Sequence, residues 1–128
     1  MIGATENALR PLLTHVLAGS LIGGFDEWVY LNIRDGADDP TRVEELVGDA
    51  LKQPRETVAT IRTRLVDASL LDADGSLTAV GREQLSNRRG LVAQTTQALT
   101  DGIDPAAVKT TIETLETVRT RAEQLFAS

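Results

Sequence analysis

The sequence predicts a mainly α-helical protein interrupted by one short β-hairpin, and three observations support that class. Apolar residues recur at helical spacing through most of the chain. Clusters of glycine, proline and aspartate cut the pattern into helix-length pieces. Between two of those pieces, Asp72-Ala73-Asp74-Gly75-Ser76 carries the Asp-Gly pair that supplies the positive φ of a tight hairpin turn.

The first helix is expected from Ala4 to about Ile22, with Leu9, Leu12, Leu13, Val16, Leu17 and Leu21 as its apolar stripe and Gly23-Gly24 as its stop. Phe25 to about Arg34 follows, with Trp28, Leu31 and Ile33 as its buried side and Asp35-Gly36 as its end. Asp39-Pro40-Thr41 opens the next helix, in which Thr41 and Glu44 have capping-box spacing ahead of Val43, Leu46, Val47 and Ala50. Lys52-Gln53-Pro54 is the turn into a basic helix, because Pro54 ends one helix and suits the first turn of another. In that helix Val58, Ile61, Leu65 and Ala68 share one face, and Arg55, Thr60, Arg62, Thr63 and Arg64 lie on others.

After the hairpin, the Thr78 hydroxyl is placed to cap a helix starting at Ala79. Leu85, Val92 and Leu99 run along it until Asp101-Gly102, and Asp104-Pro105 begins the last helix. There Val108, Ile112, Leu115, Val118, Ala122 and Leu125 form an a/d seam that needs a partner helix. Two long flanking helical regions around short central helices suggest a winged helix-turn-helix core, residues 25–78, carried on dimerisation helices at 1–24 and 79–128. The whole chain reads as one domain.

Composition narrows the function. The 128 residues are 41% hydrophobic but only 3% aromatic, so Leu, Val, Ile and Ala must fill the core. Cysteine is absent, which excludes disulfides, thiolate nucleophiles and cysteine-ligated zinc. The N-terminal apolar run holds Arg10, Pro11 and His15, too interrupted for a membrane span, and it lacks a basic leader; a soluble, cytoplasmic protein is expected. The net charge of -6 opposes indiscriminate nucleic-acid binding. Its distribution is uneven: residues 52–64 hold four basic groups against one acidic, whereas residues 1–51 hold three against nine. The basic helix is the one compact cationic island.

The chain resembles the MarR-type family of bacterial winged-helix regulators over nearly its whole length, most strongly in two places. ETVATIRTRLVDASLL is similar to the family's recognition helix, Ser-Thr-Val-Thr-Arg-Leu-Val-Asp-Arg-Leu-Glu-x-x-Gly-Leu-Val. LTAVGREQL is similar to its Leu-Thr-x-x-Gly-Arg start after the wing. FDEWVYL looks like the helix that opens the family's DNA-binding core, and Glu45-Leu46-Val47 like its Glu-Leu-Ala. The resemblance implies a homodimer whose first, fifth and sixth helices interlock, with two recognition helices in successive major grooves of a pseudo-palindromic double-stranded DNA operator.

Carried over by position, the resemblance makes Gln53, Arg55, Glu56, Thr57, Ala59, Thr60, Arg62 and Arg64 the DNA-binding candidates. Arg64 matches a family arginine and is a candidate for a phosphate or a base edge. The family's mid-helix Thr-Arg is Ala59-Thr60 here, and the turn that would be the wing holds two carboxylates and no base. The resemblance also implies a small phenolic or anionic effector, for which His15, Trp28 and Tyr30 are the candidate lining residues. Their plainer reading is as core or interface residues. His15, the one histidine, has no second ligand at metal-binding spacing.

No Ser-His-Asp or Cys-His arrangement is present, Gly23-Gly24 is a helix stop rather than a phosphate loop, and Asp38-Asp39 reads as a solvated loop. No enzyme, cofactor or metal is expected. The expected function is a dimeric, sequence-specific DNA-binding transcriptional regulator of repressor type, modulated by a small ligand. The alternative is a protein-interaction adaptor that keeps the fold and has lost DNA affinity.

Overall fold

The computed structural model describes residues 2–127. Among these residues the elements are α1 (Ile2–Leu17), α2 (Phe25–Gly36), a 3₁₀ turn (Pro40–Arg42), α3 (Val43–Leu51), α4 (Arg55–Asp67), α5 (Ala79–Thr100) and α6 (Pro105–Ala127), with no strand. The chain divides between Ala93 and Gln94 into two compact units.

In the first unit α2, α3 and α4 pack on one another. Their buried faces supply Tyr30, Leu31, Val43, Val47, Val58, Ile61 and Leu65, and Leu17 of α1, Leu85 of α5 and Leu70, Leu71 and Leu77 of the intervening turn complete the cluster. Each fully buried aliphatic side chain contributes about 1.5–3 kcal/mol relative to exposure. The three-residue and four-residue steps of α4 thus place Val58, Ile61 and Leu65 inward as the sequence predicts.

Helix boundaries follow local chemistry. The Ser20 hydroxyl and N–H both donate to the Leu17 carbonyl, at 2.6 and 3.1 Å, which ends α1 well before the expected Gly23-Gly24 stop. Asp39, not Thr41, caps the next segment: its Oδ1 accepts from the Thr41 N–H at 3.0 Å and from the Thr41 hydroxyl at 2.7 Å. The capping box expected of Thr41 and Glu44 gives way to this, and α3 starts at Val43 after a 3₁₀ turn. Lys52 closes α3 in the left-handed conformation, the Gln53 N–H donates to the Gly48 carbonyl, and the extended Pro54 launches α4 by accepting from the Thr57 and Val58 N–H groups.

The expected β-hairpin wing is not formed, and the winged helix-turn-helix class is corrected to an all-helical one. Between α4 and α5 a single antiparallel bridge joins Leu71 and Leu77 around a closed turn. In that turn the Gly75 N–H donates to the Asp72 carbonyl and the Asp72 N–H to the Ser76 carbonyl. The chain has no length for a ladder: α4 ends at Asp67, Ser69 just beyond it is in the left-handed region, and α5 begins at Ala79. The outward carbonyls are already taken, Ala73 by the Arg62 guanidinium at 2.8 Å and Gly75 by the Arg34 Nε at 2.8 Å. Thr78 does cap α5 as expected, accepting from the Gly81 N–H at 2.8 Å while its hydroxyl donates to Ser69 O at 2.6 Å.

The second unit contains residues 94–100 of α5 and all of α6. Asp104 caps α6 by accepting from the Ala106 N–H at 3.1 Å, at the predicted start. No described residue of α6 is buried, and Ile112, Leu115, Val118 and Leu125 of the predicted seam are exposed. Beside them Thr111, Thr114, Thr117 and Thr120 each donate their hydroxyl to the carbonyl four residues back.

Candidate nucleic-acid interface

With Val58, Ile61 and Leu65 turned inward, α4 leaves Arg55, Glu56, Ala59, Thr60, Thr63 and Arg64 exposed. Gln53 lies exposed in the turn ahead of them, and Thr57 is half-buried. The face is narrow and mixed in charge. Thr60 and Thr63 spend their hydroxyl protons on the carbonyls of Glu56 and Ala59, at 3.0 and 3.1 Å, so as they stand they are acceptors rather than donors to a partner.

The three arginines expected to act together are not equivalent. Arg55 is exposed in the first turn and has no partner among the described residues. Arg62 is half-buried; besides holding Ala73 O it sits 3.6 Å from Glu44 Oε1. Arg64 reaches back to Glu27, Nε to Oε1 3.1 Å, with 55% of the arginine side chain exposed and 11% of the glutamate. Glu27 is the buried acidic residue of the first unit, in the first turn of α2 where the helix dipole favours a carboxylate. Removing Arg64 therefore strips a nearly buried carboxylate of its counter-ion, a cost separate from any contact with DNA.

The three residues expected to line an effector crevice are not brought together. His15 is exposed in the last turn of α1, and Trp28 is half-buried against the core. Tyr30 is only 3% exposed and lines an open cleft of about 290 Å³ whose walls include neither of the others. Burial raises the Tyr30 phenol above its ordinary pKa, Glu44 adds to the rise, and Arg62 and Arg34 oppose it. The sequence held a partial signal for this cleft, since Tyr30 and Arg34 stand one helical turn apart. The approach of Arg62 and of the Asp74-Gly75 turn is tertiary and has no local signature.

Among the described residues no group of three or more His, Asp and Glu side chains is arranged to hold a metal ion, and no helix is long and apolar enough to cross a membrane. No protein-family model, curated protein or solved structure matches the chain.

Two surface carboxylates shape the loops around α3 and α4. Asp39 is held below the ordinary carboxylate range by the Thr41 hydroxyl and then the Thr41 N–H, and Asp74 by hydrogen bonds from Ser76, the N–H first. A carboxyl with a lowered folded-state pKa stabilises fully above the ordinary range, near 4, and loses that contribution as pH falls through its lowered value. The Ser76 and Thr41 amides are accordingly expected to lose hydrogen-exchange protection on acidification below pH about 4. Asp74→Asn should remove the pH dependence at Ser76 alone; protection there that ignores both pH and the substitution would refute the assignment.

Proposed function

We propose that the chain is a dimeric, sequence-specific DNA-binding regulator of transcription, a repressor that offers α4 to the major groove. The observation that carries this reading is the exposed row on α4, with small Ala59, Thr60 and Thr63 behind Arg55 on a helix whose opposite face is fixed in the core. Short side chains allow a helix to approach base edges closely, and the free Arg55 guanidinium at the N-terminal end suits a phosphate. The similarity of ETVATIRTRLVDASLL to a known recognition helix supports the same assignment. Dimerisation through α1, α5 and α6 is supported by the exposed seam of α6 and by exposed Leu9, Leu91 and Leu99.

Selection of genomic fragments with the purified protein, followed by binding at several salt concentrations, tests the reading. Arg55→Ala is expected to weaken binding to the selected site by about 1–3 kcal/mol and to flatten the salt slope by about one ion. Absence of salt-sensitive binding to any fragment at low ionic strength would overturn the proposal. Arg55 is a cleaner choice than Arg64, whose loss also exposes Glu27.

A second reading has its own support. Arg62 and Arg64 are both committed to groups within the chain, so the cationic island is weaker than its sequence suggests. A protein-interaction adaptor that uses the α4 face follows from that. It is favoured by absent DNA binding together with a stoichiometric protein partner whose affinity depends on Arg55.

A further inference from the structure

The cleft beside Tyr30 has features of a built binding site. It is framed by α2 through Tyr30 and Arg34, by α3 through Val43 and Glu44, by α4 through Arg62, and by the turn after α4 through Asp74. Its volume of about 290 Å³ sits at the lower edge of small-molecule pockets, roughly 300–1,000 Å³, so the occupant is small.

The Tyr30 hydroxyl has no hydrogen-bond partner among the described residues, although the residue is almost wholly buried. No buried side-chain polar atom among the described residues of the first unit lacks a partner, so this unpartnered hydroxyl keeps some accessible surface, and Tyr30 lines the cleft. Its electrostatic neighbours, Glu44, Arg62 and Arg34, are all cleft residues. A phenol held in the core with its polar tip open to a cavity is a hydrogen bond waiting for a ligand.

The charges around it come in both signs. Arg34 uses its Nε on the Gly75 carbonyl, leaving the two terminal nitrogens as a fork suited to a carboxylate. Glu44 is paired only loosely, 3.6 Å from Arg62, and Asp74, whose Oδ1 accepts from the Ser76 N–H at 2.9 Å, adds a second carboxylate to the rim. A simple anion would gain from the guanidinium groups but face two carboxylates, and a simple cation would meet the converse. Val43 and Pro40 supply an apolar wall. We propose that the cleft binds a small zwitterion, a free α-amino acid with a compact apolar side chain. Its carboxylate lies between Arg34 and the Tyr30 hydroxyl, its ammonium faces Glu44 and Asp74, and its side chain rests on Val43 and Pro40.

Because the cleft joins α2, α3, α4 and the following turn, occupancy tightens the contacts that hold Arg62 and fix α4. This part of the inference rests on the regulatory reading of α4; binding itself does not. Calorimetric and NMR titrations with free alanine, valine, leucine and proline, at up to about 10 mM, should show saturable binding by at least one. N-acetylation or amidation of the amino acid that binds should each abolish it. Tyr30→Phe, which removes only an unpartnered hydroxyl and preserves the core, is expected to weaken binding about tenfold or more. No binding, equal binding of the N-acetyl or amide derivative, or binding untouched by Tyr30→Phe would each overturn the proposal. A positive titration with no DNA binding would leave the cleft assigned and reject only the regulatory reading, so the two failures are distinguishable.

Discussion

Gly81→Ala is expected to destabilise the first unit by about 3 kcal/mol, lowering its melting temperature by roughly 12–24 °C. Gly81 is buried in the first turn of α5, where its N–H meets the Thr78 hydroxyl. A Cβ there would stand 2.2 Å from the Leu70 carbonyl oxygen and 3.1 Å from its carbon. The obstacle is backbone, so no rotamer change relieves it, and α5 must move off the turn that buries Leu70 and Leu71. At Gly90, in the same helix, an added methyl group would meet nothing within 4 Å. Gly90→Ala should therefore do the opposite and stabilise by up to about 1 kcal/mol through helix propensity. Thermal unfolding of the two variants checks the contrast. Equal effects would show that the α5 approach to Leu70 is looser than described.

The second large effect concerns α6. Replacing Ile112 and Leu115 together by Asp is expected to convert a dimer into monomers, read by light scattering after size exclusion. Each side chain is worth about 1.5–3 kcal/mol if buried by a partner, and two introduced carboxylates add a desolvation cost. The combined loss should raise the dissociation constant by about four orders of magnitude. Since no described residue of α6 is buried within its own chain, the double substitution removes no packing from the folded monomer, and its helical content should be unchanged. A wild-type monomer at high concentration, or a dimer that survives the double substitution, would refute dimerisation through this seam.

Local signals proved the easiest to read from sequence. The inward face of α4, the caps at Thr78 and Asp104 and the left-handed Gly75, at φ 87°, each depend on residues close in the chain, and each stands where the spacing predicts. The misreadings arise where competing local partners or distant ones intervene. Asp39 outcompetes Thr41 as a cap because its carboxylate is one residue ahead of the 3₁₀ turn. Ser20 ends α1 before the more conspicuous glycine pair is reached. The hairpin expectation rests on turn chemistry alone. Strand formation also requires flanking residues free to pair, and here helices begin and end too close to the turn while Arg34 and Arg62 hold its carbonyls.

The candidate interface is half legible for the same reason. Periodicity correctly separates the buried from the exposed side of α4. It cannot show that Arg64 answers a carboxylate on α2, because Glu27 and Arg64 are far apart in sequence. Nor does composition distinguish Tyr30, almost wholly buried with its hydroxyl at a cleft, from an ordinary core aromatic.

The threonines of α6 bear on how that helix would choose its partner. With four hydroxyls each spent on the carbonyl one turn back, its flank offers no hydroxyl proton for a hydrogen-bonding ladder. Alignment along the seam then has to come from bulk. Ala122 is the one small residue in a row otherwise made of Val, Ile and Leu, so a facing large side chain has a single notch to enter. Register along α6 would be read by size, as a key finds its lock by one missing tooth.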